Sequence, residues 1–294
     1  MRKRNVLESP RLVELKKKRR KETFKMVSLF FLVFLLVFVA LVYISKIESL
    51  NINEIRIEGN STIDSGTIEA KVKEEIAGKY LWLFPKSNIM YYPKGKIREN
   101  LSSNFKRLGE IYFSIEKNEI LVVSLSEREA KYMWCGDTPT DVGLLQNDMP
   151  TSTESGKCFF LDKEGYVFDE APYFSGEVYF RFFGSLNEDK NYFSKESFGK
   201  LIEFKDAIID MGMNPVAMYV EESGDIEVYL SKGSGAGIEP RIIFRLDNEL
   251  QNTIENLKTA LDTEPLKSKF KNKYSSLLYI DLRFGNKVYN KFSK

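Results

Sequence analysis

Cys135 and Cys158 are the only cysteines in this chain, and no histidine occurs anywhere in it. Without histidine, neither a Ser-His-Asp nor a Cys-His nucleophile can be assembled, and no imidazole is available to a metal. Two cysteines alone fall short of the four ligands that a structural zinc takes. They bracket residues 136–157, a polar stretch rich in Thr, Ser, Asp, Gly and Pro. Either they remain two free thiols or they form a bridge. In an oxidising compartment a bridge persists, and closing this loop is worth about 3 kcal/mol in the chain-entropy model. The bridge is the expectation.

Carboxylates are the next candidates. Glycan hydrolysis needs two of them held about 5–10 Å apart across a sugar cleft, and Asp162 with Glu164, or Asp281 with a neighbour, could be read that way. Asp162 reads better as the turn former ahead of Gly165, because Asp side chains accept nearby backbone N–H groups. Asp281 and Arg283 alternate around Leu282 and share one strand face, which suits a structural ion pair. Glu127 and Arg128 are candidates for fixing the angle between two domains. Gly233 to Gly237 lacks the Gly-Lys-Ser/Thr ending of a phosphate loop and runs into Pro240 and a strand, so a surface loop is expected. Nothing here composes a catalytic, cofactor, metal or small-molecule site, and a non-enzymatic protein without cofactors is expected. The aromatics Tyr166, Phe168, Tyr173, Phe174, Tyr179, Phe180, Phe182 and Phe183 crowd one region. Most should pack in a sheet. Adjacent Phe182 and Phe183 cannot both point inward from a regular strand, so part of the cluster is expected to be exposed to a partner.

Alternation and capping residues indicate the elements that hold these groups. Residues 51–58 alternate around Ile52, Ile55 and Ile57 as a strand ending at Gly59-Asn60. Asp64 or Ser65 caps a helix with Ile68, Val72 and Ile76 on one face, stopped by Gly78. Pro93 opens a second helix bearing Ile97, Leu101 and Phe105. Residues 111–115 and 120–125 form a hairpin across Lys117-Asn118-Glu119. Residues 50–131 thus read as strand, helix, helix, strand, strand. A cysteine-flanked insert or linker, 132–157, separates them from a second domain, 158–294. There, residues 158–162 and 166–168 form a hairpin turning on Gly165, and 177–183 a further strand. Residues 194–211 form a helix with Phe198, Leu201, Ile202, Ile208 and Ile209 inward, ended by Gly212 and Pro215. Residues 217–220 and 225–230 pair around Ser223-Gly224. After a strand at 241–246, Asp247 caps a helix bearing Leu250, Ile254, Leu257 and Leu261. Residues 277–284 and 287–291 close the chain as a hairpin at Gly285-Asn286. The expected class is α+β, a mostly antiparallel sheet with flanking helices.

Ahead of these domains, residues 26–45 run for twenty positions without a charge. As one helix, that length crosses the roughly 30 Å hydrocarbon core of a bilayer. Residues 1–25 carry eleven Lys and Arg against three Glu, whereas the fifteen residues after the span carry only Lys46 and Arg56. Positive charge stays inside, so the N-terminus is expected in the cytoplasm and everything after Lys46 outside. A cleaved signal peptide would have an apolar core of about 7–15 residues and a small-x-small site. Neither is present, and an uncleaved anchor is expected. The net charge of +2 divides into +8 for the tail and −6 for residues 26–294, with 33 basic and 39 acidic residues in the latter. The tail suits anionic lipid. The exported part has no basic stripe for nucleic acid.

Four strings in this order, behind an N-in anchor, resemble the FtsQ/DivIB family of bacterial cell-division proteins. Residues 52–60, Ile-Asn-Glu-Ile-Arg-Ile-Glu-Gly-Asn, resemble the opening strand of that family's membrane-proximal POTRA domain. Residues 115–130 run strand, turn, strand, Ser-Glu-Arg-Glu-Ala, with Glu127-Arg128 where the family ends POTRA. Residues 160–168, Phe-Leu-Asp-Lys-Glu-Gly-Tyr-Val-Phe, resemble the hairpin that opens its β domain. Residues 279–284, Tyr-Ile-Asp-Leu-Arg-Phe, resemble a strand near its C-terminus. Asn118 and Glu129 stand where the family has proline.

The resemblance implies a single-pass, N-in protein of the bacterial cell membrane at the division septum. Such a protein scaffolds FtsB-like and FtsL-like partners during septal peptidoglycan synthesis. It also implies that the last strand, Lys287, Val288, Tyr289, Asn290 and Lys291, is a sheet edge that captures a short β segment from the FtsB-like partner. A strand terminal in sequence can leave N–H and C=O groups free for that purpose. A POTRA-bearing chaperone or secretion component is the first alternative, but no further POTRA copy or barrel follows. A membrane-anchored cell-wall enzyme is the second, and it lacks a catalytic constellation.

Overall fold

The computed structural model describes residues 10–139, 157–174, 177–187, 191–231, 239–246 and 249–293. The glycine-rich loop 233–237, the capping position Asp247, the first nine residues of the basic tail and residues 140–156 of the insert lie outside that set. The chain is α+β and divides into two compact units, Met1–Glu127 and Arg128–Lys294.

The first unit begins with α1, Pro10–Ser45, a continuous 36-residue helix. Basic residues Arg11 to Lys25 therefore belong to the same helix as the apolar stretch. Its stretch from Glu14 to Ser45 is long and apolar enough to cross a membrane. Asn88 and Asn51 each donate a side-chain N–H to the terminal carbonyl of Ser45, at 3.2 and 3.1 Å, satisfying one of the acceptors that a helix end leaves open.

Beyond it lie β1, Glu54–Glu58, α2, Ser65–Ile76, and a short hairpin of β2, Lys79–Tyr80, and β3, Phe84–Pro85. Next come α3, Lys94–Asn104, β4, Leu108–Glu116, and β5, Ile120–Glu127. The three-stranded sheet has the order β1-β5-β4, with β1 parallel and β4 antiparallel to β5. Asp64 caps α2 by accepting from the Thr67 N–H at 2.8 Å. Ile68, Val72, Ile97 and Leu101 then seal the helices onto Leu121 and Val123. Lys117 and Asn118 both take left-handed φ in the β4–β5 turn, the geometry of a tight hairpin. The β2–β3 hairpin is absent from the sequence expectation because two-residue strands carry no readable period.

The second unit is one nine-stranded sheet. Its strands are β6, Tyr132–Trp134, β7, Phe159–Leu161, β8, Val167–Glu170, β9, Arg181–Phe183, and β10, Pro215–Val220. They continue with β11, Asp225–Leu230, β12, Arg241–Arg245, β13, Leu277–Phe284, and β14, Lys287–Phe292. The spatial order is β14-β13-β12-β11-β10-β9-β6-β7-β8. Helices α4, Phe198–Asp210, α5, Leu250–Asp262, and α6, Leu266–Lys273, complete the unit.

Most joins are antiparallel, but β12/β13, β10/β9 and β6/β9 are parallel. A parallel join needs a crossover. Helix α4 supplies it between β9 and β10, and α5 with α6 supplies it between β12 and β13. All three helices contribute to one core, through Leu201, Phe204, Ile208, Leu257 and Leu266. The rings of Phe204 and Phe244 stack at 3.9 Å within it.

Several expectations are corrected here. Tyr132–Trp134 is an interior strand, so the segment 132–157 is not a linker at its start, and the units divide at Glu127/Arg128. The strand expected over 177–183 is regular only at Arg181–Phe183. Phe182 and Phe183 are both fully buried, because the sheet is covered on both faces there. Phe182 joins the helix-side core, and Phe183 joins a second cluster with Met133, Cys135, Phe160, Phe168 and Ala217. On α4, Ile209 is exposed, and Phe204 takes the inward position instead.

Candidate partner-binding edge

Among the described residues, strand β14 ends the sheet with no strand on its outer side. Its pairing with β13 runs through Tyr279↔Lys291, Ile280↔Asn290 and Asp281↔Tyr289. Val288 and Phe292 are half-buried against the helix-side core, whereas Lys287, Tyr289, Asn290 and Lys291 are exposed. The Tyr289 ring meets Phe284 edge-on at 5.2 Å. Both helices preceding the hairpin stand close to it. Asn256 of α5 donates to the Gly285 carbonyl at 3.1 Å, and Lys269 of α6 lies over the Phe292 ring. Helix α6 also exposes Lys267, Lys271 and Lys273. An edge strand with solvated N–H and C=O groups beside a lysine-rich helix can add a further strand and favours one that carries carboxylates.

Below the edge, Asp281 and Arg283 are joined on β13. Arg283 Nε donates to Asp281 Oδ1 at 2.9 Å and Nη2 to Oδ2 at 2.7 Å. Arg283 also donates to Asp225 on β11, which accepts from Arg245 as well. Burial pushes the Asp225 carboxyl up, but its bonds to Arg245 and Arg283 outweigh this and hold it below the usual range. The Arg283 guanidinium is raised, first by its bond to Asp281. Both acids are buried. The charges cross-link β11, β12 and β13 and give the edge hairpin a rigid base.

The remaining predicted residues lie elsewhere. Cys135 and Cys158 are joined by a disulfide. Asp162 is buried, accepts from the Glu164 and Tyr166 N–H groups at 2.8 and 3.0 Å, and pairs with Arg128, whose guanidinium lies 3.9 Å over the Tyr166 ring. Gly165 follows in the turn with φ +78°. Among the described residues, no three Cys, Asp or Glu gather where a metal could sit.

For Glu127 the structure adds a loop-closing role that the sequence does not announce. Glu127 closes the loop between β1 and α2, accepting from the N–H groups of Ser61, Thr62 and Ile63 at 2.8, 3.0 and 3.0 Å. Burial raises its pKa, but those backbone donors more than offset it and lower it to about 2. A depressed carboxylate contributes stability that is present above its unfolded value and lost as pH falls through the folded one. The first unit should therefore lose this contribution between about pH 4.5 and about pH 2. Glu127→Gln should cost about 2 kcal/mol at neutral pH, the scale of charged hydrogen bonds, and flatten the acid limb of a pH series of denaturation curves. An unchanged acid limb would contradict the role.

No protein-family model matches the chain, and no curated protein matches it.

Proposed function

We propose that this chain is a membrane-anchored, non-enzymatic adaptor of the FtsQ/DivIB type, which links FtsB-like and FtsL-like cell-division partners at the septum. The observation that carries the proposal is the open β14 edge at the end of the nine-stranded sheet, flanked by α5 and α6. Three further features support it. The first unit follows the strand, helix, helix, strand, strand order of a POTRA domain, with a small hairpin added between the helices. One N-terminal helix is long and apolar enough to span a membrane, and the basic residues ahead of it favour an N-in orientation. The chain has no histidine for acid–base or nucleophilic chemistry.

In mechanism, the span holds the first unit at the outer membrane face, and the second unit adds a partner's extended segment to β14. Main-chain bonds supply affinity, while the α6 lysines select acidic segments. Full-length protein in detergent micelles should capture an FtsB-like peptide, and capture should weaken as salt screens the lysines. In cells, depletion should give filaments with unfinished septa. Normal division after depletion would remove the septal reading.

A further inference from the structure

The segment between α2 and α3, which includes the β2–β3 hairpin, points three large apolar groups into solvent. Trp82 is 91 % exposed, and Leu81 and Met90 are each 80 % exposed. Leu81 and Trp82 form the tip with φ of 48° and 61°. Left-handed backbone costs a bulky residue roughly 1–2 kcal/mol, and hairpin tips with this geometry favour Asn-Gly. Two large apolar side chains in strained, water-facing positions indicate a use outside the unit's own packing.

What lies beside the hairpin identifies its surroundings. Phe84 of β3 meets Phe38 of α1 edge-on, with ring centroids 5.9 Å apart. Phe38 belongs to the uncharged stretch, seven residues before Ser45, or roughly 10 Å along the helix axis. The joint is held as well by Asn88 and Asn51 on the Ser45 carbonyl, and Ser87 donates to Asn51 at 3.0 Å. Tyr91 packs on both Tyr80 and Phe84 at 6.2 and 6.3 Å. The hairpin thus lies alongside the end of the apolar span.

Its polar groups suit that position. Lys79 pairs with Pro85 and Tyr80 with Phe84 across the hairpin, the Leu83 N–H donates to the Tyr80 carbonyl, and the Lys86 N–H donates to that of Gly78. Backbone satisfied in this way can enter a poorly hydrated layer. Lys79 and Lys86 at the base can extend their ammonium groups toward lipid phosphates. Trp and Tyr are the residues that settle at the headgroup–acyl boundary.

We infer that Leu81, Trp82 and Met90 insert into the outer leaflet beside α1, so that the first unit grips the membrane at a second point and cannot swing about its helix. This rests on the reading of α1 as a membrane span. The test uses the full chain carrying Trp134→Phe, which leaves Trp82 as the reporter, reconstituted in phosphatidylcholine–phosphatidylglycerol vesicles. Trp82 emission should be blue-shifted, lose most of its intensity to lipids brominated along their acyl chains, and be protected from aqueous iodide. Met90→Cys labelled with bimane, in the otherwise natural chain with its own cysteines paired, reports the same site should Trp134→Phe fail to fold. Vesicle-retained protein with a water-like, iodide-quenched reporter overturns the inference alone. Protection found only in native membranes, and not in pure lipid, also overturns it and indicates a protein partner. Protein that does not float with vesicles after an alkaline wash overturns the span and the insertion together.

Discussion

Proline placed in turn at Val288 and at Tyr289 should sharply weaken partner capture at one position and weaken the fold at the other. Adjacent residues of a strand direct their N–H groups to opposite sides. In β14 one of the two therefore donates to β13, and the other faces the open edge. Proline removes a donor and tolerates edge positions only where no ladder bond is lost. At the outward position it leaves a captured segment with an unpaired carbonyl and a ring in its path. An unsatisfied buried acceptor costs about 1–3 kcal/mol, so binding should fall roughly 10- to 100-fold or further. The denaturation midpoint should hold. At the inward position the midpoint should drop, because the β13–β14 ladder is broken. Binding curves and melting curves recorded on both variants decide the matter. Capture at natural strength by both would refute strand addition at this edge.

How far this edge could be read from the chain depends on what is local. The hairpin of 277–284 and 287–291 was legible because Gly285-Asn286 interrupts two alternating runs, and the observed strands differ from it by one residue. That β14 has no further neighbour among the described residues depends on the order of all nine strands, which no local pattern encodes. The parallel joins were missed for the same reason. Alternation marks a strand but not its direction, and α4 and the α5–α6 pair return the chain so that β10 and β13 run parallel to the strands before them. Helix α6 itself went unread, since Lys267, Lys269, Lys271 and Lys273 leave it little apolar period beyond Leu266 and Phe270.

In the first unit, caps and alternation were nearly sufficient. Asp64, Ile68, Val72, Ile97 and Leu101 lie in the structure where their spacing placed them. Glu127 stands out in the sequence beside Arg128, but its bonds to the loop ahead of α2 do not. Its partners are the Ser61 hydroxyl and the backbone N–H groups of residues 61–63, and a carboxylate's preference for backbone donors leaves no trace in residue type. Asp64 starting a helix just after that loop was the one available hint.

Gly165→Ala should be strongly damaging to the second unit. Its sequence position ahead of Tyr166 announced only a turn, and φ of +78° accounts for a penalty of roughly 1–2 kcal/mol for any L side chain. The surroundings add a second cost. A Cβ there would lie 2.8 Å from Phe198 Cγ and 2.9 Å from the Phe193 carbonyl oxygen. Phe193 and Phe198 are buried, and the Phe193 N–H donates to the Gly165 carbonyl at 2.9 Å, so neither can yield without disturbing the start of α4. Crowding of this kind adds about 1–3 kcal/mol, for a total of roughly 2–5 kcal/mol. Gly224 provides the control, with φ +85° and open space around it; Gly224→Ala should cost only the conformational part, roughly 1–2 kcal/mol. Guanidinium denaturation of the two variants separates the contributions, and equal losses would refute the packing argument. Strands β8 and β14 lie at opposite ends of the sheet. Gly165→Ala protein that remains folded should therefore bind the partner peptide with unchanged affinity, which distinguishes a loss of stability from a loss of the edge.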